Sequence, residues 1–174
     1  MNYFEFYETP ISFDLDEAAL KKAFLKKSRQ FHPDFYTLES DEKQAEVLEL
    51  ATYNTEAYKV LSDNSARMKY ILELKDAIAP EGQNQLPQDF LMEAMEINEQ
   101  IMELEFDFDE KNYQKIASEI ENLKNNLKNE VEPILQHFDF EQVSENDLEK
   151  IKNYYFKSKY CLRMSENVSK FASL

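Results

Sequence analysis

Two side chains in this sequence place acid-base chemistry at close quarters: His32 and Asp34, separated by Pro33 in the stretch SRQFHPDFYTL. An imidazole titrates near neutral pH, and a carboxylate takes a bidentate arginine. Catalysis would need a nucleophile, a ligand set or a glycine-rich phosphate loop beside them. The chain has one glycine, one cysteine and one further histidine, so no enzyme constellation and no cofactor site is expected. Presentation to a partner is the chemistry that remains.

What precedes the tripeptide supports that reading. Residues 14–31, DLDEAALKKAFLKKSRQF, predict a helix started by Asp14 or Asp16. Proline removes a backbone donor and restricts the residue before it, so this helix is expected to stop near Phe31 and leave His32 and Asp34 on a loop. Leu20, Phe24 and Phe31 fall on one side; Lys22, Lys26 and Arg29 fall on the other. From Lys21 to Arg29 there are five basic residues and no acidic one, in a chain of net charge -15. Such a face is either a solvated helix surface or a docking surface for an acidic partner.

A second feature lies in DFLMEAMEINEQIMELE, residues 89–105, which holds more apolar residues than one buried stripe requires. Phe90, Ala94, Ile97, Ile101 and Leu104 share about 80° of arc and predict a core stripe. Leu91, Met95 and Met102 gather about 120° away, beside Met92, Glu96, Glu99 and Glu103. They are either core against a second neighbour or an exposed, adaptable binding patch. The segment has no Lys or Arg, and the mutual repulsion of its glutamates points to a partner that neutralises them.

The elements that position these residues are helical throughout. Leu, Lys and Glu are abundant, while one glycine and five prolines supply few of the turns a sheet needs. The predicted class is all-α. Further helices are expected over residues 41–61 and 64–74 and then over 88–105, 109–138 and 144–172. Pro133 should bend or interrupt the fifth of these six, and Ser144 with Asp147 resembles a capping box opening the last. Gly82, Pro80 and Pro87 mark a linker over residues 77–87, between a first domain at 1–76 and a three-helix bundle at 88–174. Residues 1–75 carry 10 basic and 14 acidic side chains, net -4; residues 76–174 carry 10 and 21, net -11.

The acid surplus argues against nucleic acid. No apolar run approaches membrane length, and the absence of a signal-like start leads to an expected cytoplasmic location. Cys161 is expected to pack in the bundle, and His137 to cap a helix or lie partly buried.

YFEFYE, LKKAFLKKSRQFHPD, NTEAYKVLSD and ARMKYIL together resemble the J domain of the DnaJ class. That resemblance implies an antiparallel helix hairpin with the HPD loop between its helices. It also implies docking on a DnaK/HscA-type ATPase chaperone through His32, Pro33 and Asp34, with Lys22, Lys26 and Arg29 as the electrostatic face. Most J domains have lysine after the aspartate; here it is Phe35. A J domain followed directly by a bundle opening with FLMEAMEINEQIMELE resembles HscB, a co-chaperone family of iron-sulfur cluster assembly. The resemblance implies that Leu91, Met92, Met95, Glu96, Glu99 and Glu103 bind an IscU-type scaffold, joined by Phe156 on the last helix. The function implied is delivery of that scaffold to the chaperone and stimulation of its ATPase. The alternatives are a general J-domain protein presenting unfolded clients, and a coiled-coil scaffold with an incidental tripeptide.

Overall fold

The computed structural model describes residues 1–80 and 83–173; the expected linker glycine, Gly82, lies outside them. Among the described residues the regular elements are helices: α1 (Tyr3–Phe6), α2 (Glu17–Gln30), α3 (Asp41–Ser62), α4 (Asn64–Leu74), α5 (Gln88–Phe106), α6 (Glu110–Gln136) and α7 (Glu145–Ser169). One-turn 3₁₀ helices cover Pro33–Tyr36 and Lys170–Ser173. The chain divides into two compact units: Met1–Leu74 with Phe138–Glu141, and Lys75–His137 with Gln142–Leu174.

In the first unit Phe4, Phe6, Tyr7, Leu20, Ala57, Leu61 and Ile71 form the buried core. α1 is too short for periodicity to announce it. It is held by a capping box in which Asn2 accepts from the Glu5 N–H and Glu5 accepts from the Asn2 N–H, both at 2.9 Å. α2 starts at Asp16, whose carboxylate accepts from the Ala19 N–H at 2.9 Å.

Two buried polar residues tie this unit together. Asn54 on α3 donates to the Phe24 carbonyl and the Ser28 hydroxyl of α2, and accepts the Tyr7 hydroxyl at 2.8 Å. This buried cross-link fixes how α3 lies against α2, because breaking any arm would strand a polar group out of water. Arg67 on α4 donates to the carbonyls of Phe13 and Leu61 and to the Asn64 side chain. Within the same unit, Phe13 meets Phe138 edge-to-face at 4.5 Å.

The second unit packs α5, α6 and α7 as a bundle. Phe90, Ala94, Ile97, Ile101 and Leu104 of α5 are all buried, against Ile116, Ile120, Leu123 and Leu127 of α6 and Cys161, Met164 and Val168 of α7. Pro133 does not interrupt α6: it sits within the last turn, exposed, where a carbonyl that loses its partner faces water. Ser144 caps α7, accepting from the Asp147 N–H at 3.1 Å, but the second arm of the box differs from the expected one. The shorter Asp147 carboxylate accepts the Ser144 hydroxyl at 2.9 Å instead of the cap backbone.

Candidate functional site

The tripeptide sits where α2 ends. Phe31 is the C-cap, and His32 is the extended N-cap residue of a 3₁₀ turn whose first residue is Pro33. The segment is thus a built turn where the sequence pointed only to a loop. The Nδ1 atom of His32 accepts the Asp34 N–H at 3.3 Å, so the side chain caps its own turn. The Asp34 carboxylate lies 3.6 Å from the same Nδ1. Tyr36 braces the turn by donating to the Gln30 carbonyl at 2.8 Å. The His32 side chain is 52% exposed and that of Asp34 83%, so water reaches both and no dry pocket encloses a reaction.

Lys22, Lys26 and Arg29 stand exposed on the outward face of α2. With Lys21 and Leu25 they line one open groove along that helix. Leu25, 45% exposed, supplies an apolar centre that a charge count overlooks. Lys27 is different. It turns over the Phe6 ring at 4.3 Å, so it serves packing more than the outer face. Phe35 is 74% exposed with its ring 5.7 Å from that of His32.

On α5 the two faces separate cleanly. Leu91, Met92, Met95 and Met102 are exposed, as are Glu96, Glu99 and Glu103. The patch is therefore surface, and the alternative of core against a second neighbour does not hold. Phe156 is half-buried on α7, its ring edge-to-face with Tyr155 at 5.0 Å. It stands one turn before Tyr160, which packs on Phe90 and receives a hydrogen bond from Asn98 of α5 at 3.2 Å.

Cys161 is fully buried, and burial pushes its thiol up to about 11. His137 is the C-cap of α6, its Nδ1 2.9 Å from the Pro133 carbonyl. Among the described residues no three His, Cys, Asp or Glu side chains gather as a metal-binding group, and no helix is long and apolar enough to cross a membrane.

The family model of the HSCB C-terminal oligomerisation domain matches residues 86–169, the stretch that holds the bundle. A co-chaperone protein HscB homolog of Acinetobacter baylyi is 30% identical over 170 residues, covering 98% of this chain and 90% of that one. This chain belongs to the HscB co-chaperone family. The HscB homolog of Vibrio cholerae is 36% identical over 103 residues, which span 58% of this chain and 60% of that one. The crystal structure of human co-chaperone protein HscB superposes with a TM-score of 0.74 at 25% identity, covering 99% of this chain and 82% of that one. As in HscB proteins, an all-α J domain is followed by a C-terminal helical bundle.

Proposed function

We propose that this HscB-family chain is an adaptor: the first unit engages a DnaK/HscA-type chaperone and stimulates its ATPase, while the bundle holds an IscU-type iron-sulfur scaffold. The observation that carries the reading is the exposed Leu/Met stripe of α5 with its wholly acidic rim, back to back with a complete core stripe. A soluble helix gains nothing by keeping Leu91, Met92, Met95 and Met102 in water unless a partner covers them. His32, Pro33 and Asp34 supply the second contact, with Lys22, Lys26 and Arg29 drawing the chaperone's acidic surface toward it. Phe156 completes the scaffold face from α7.

The mechanism is coupling. The adaptor holds the scaffold near the chaperone at a high effective concentration, while the contacts at the turn favour ATP hydrolysis. Chemistry stays on the chaperone, and His32 acts as an oriented polar contact. A general J protein is the second reading, favoured by the flexibility of three exposed methionines on one helix.

Steady-state ATPase of the chaperone, with and without scaffold, separates these. Asp34→Asn should abolish stimulation. Leu91→Ala/Met95→Ala should keep the scaffold-independent part and remove the increment that scaffold adds. A scaffold increment absent from the parent protein would move the assignment to a general J protein, and stimulation indifferent to Asp34 would end both.

A further inference from the structure

The exposed apolar stripe on α5 does not end at Met95, the last apolar residue of the proposed scaffold set on that helix. Phe106, the last residue of the helix, is 88% exposed, and Met102, one turn earlier, is 57% exposed. With Leu91 and Met95 they lie within about 60° of arc, a ridge about 22 Å long at 1.5 Å per residue. Midway, Asn98 interrupts the apolar row; its amide is engaged with the Ala94 carbonyl and the Tyr160 hydroxyl. Phe108, just beyond, is held against Tyr113 and Phe171, whereas the Phe106 ring projects into solvent.

From Glu103 to Glu110 every charged residue is acidic, the first base being Lys111. Glu103, Glu105, Asp107, Asp109 and Glu110 flank Met102 and Phe106 along the chain, and all are exposed. A second copy of this chain would bring that acidic rim against itself, at a cost that an apolar contact of two side chains does not offset. The occupant that fits is a surface with an apolar depression flanked by Lys or Arg.

We infer that the scaffold contact runs the whole length of α5, with Met102 and Phe106 as a second anchor pair seated in a basic-rimmed apolar depression of the scaffold protein. The inference rests on the proposed role of the bundle and extends its apolar contact to Phe106, the last residue of the helix. A contact whose apolar part on α5 is confined to Leu91, Met92 and Met95 would leave the Phe106 ring in water beside the partner. Aromatic anchors in apolar depressions are where interfaces concentrate their energy.

The test is titration calorimetry of this 174-residue chain with the IscU-type scaffold, comparing the parent, Leu91→Ala/Met95→Ala and Met102→Ala/Phe106→Ala. All four side chains are exposed, so circular dichroism melts should match the parent. Removing the distal pair should weaken scaffold binding about tenfold, the scale of a lost aromatic anchor, and Phe106→Leu should recover part of it. Parent-like affinity in Met102→Ala/Phe106→Ala, with binding lost in Leu91→Ala/Met95→Ala, would overturn the inference and leave the scaffold role standing. Binding unaffected by either pair would overturn the scaffold role, and this inference with it. A parent that sediments as a dimer and becomes monomeric only without the distal pair would assign the ridge to a second copy and overturn the inference as well.

Discussion

Cys161 shows how one buried group sets a pH limit. Its thiol is wholly enclosed in the bundle core, and burial raises its pKa from an ordinary 9.0 to about 11. The unfolded chain therefore loses this proton before the folded one does. The group's contribution is fully present below pH 9 and fades as pH climbs from about 9 to about 11, a difference of about 3 kcal/mol for a shift of this size. Denaturant unfolding of the bundle at pH 8 and pH 11, for the parent and Cys161→Ala, measures it: the alkaline loss should be smaller in the variant. Equal losses would show that the thiol does not set the limit. The burial of Cys161 was legible from its bundle position and small size. That of Asn54 and Arg67 was not. Asn54 shared the spacing of core residues, but its partners Tyr7, Phe24 and Ser28 lie far away in the chain, and only the folded hairpin shows that its polar groups are satisfied.

At the scale of the element, α5 has two apolar faces of opposite fate. Ile97 is 5% exposed in the core and Met92, five positions before it, is 59% exposed. Truncating Ile97 to alanine opens a cavity and should cost about 2–5 kcal/mol, whereas Met92→Ala should cost less than about 0.5 kcal/mol. Urea unfolding of both variants reads the contrast; comparable losses would mean that Met92 packs in the core in solution. The long helices were visible in the sequence because 3.6-residue periodicity accumulates over many turns, and core and exposed stripes of α5 separated for the same reason. What stayed hidden was short or conditional. α1 spans four residues, and the turn at Pro33–Tyr36 takes its form from a histidine cap instead of from periodicity. Pro133 signals a break wherever it stands, yet near the end of α6 the lost hydrogen bond matters little. Phe106 falls in the acidic run that ends α5, so its exposure became evident only once the core stripe was seen to be satisfied without it.

For the whole molecule, charge differs between the two contacts in a way that a single experiment reads. The proline and glycine pattern pointed to a linker over residues 77–87, whereas the first compact unit runs to Leu74 and also takes in Phe138–Glu141, a membership that depends on Phe138 meeting Phe13 across the chain. The proposed scaffold face belongs to a segment of net charge -11, so near and distant charges attract a basic partner alike. The proposed chaperone face is a local cluster of Lys21, Lys22, Lys26 and Arg29 on a chain of net charge -15. An acidic partner is attracted by the cluster and repelled by the remainder, so added salt screens two opposing effects. Raising the salt from about 0.05 to about 0.5 M should lower the scaffold association rate about tenfold and leave its dissociation rate nearly unchanged, because apolar contacts hold the formed complex. The chaperone association rate should fall less over the same range. Stopped-flow association of each partner measures both slopes. A steeper slope for the chaperone would mean that the α2 cluster alone governs its approach, and a scaffold rate indifferent to salt would remove the acidic rim from the recognition mechanism.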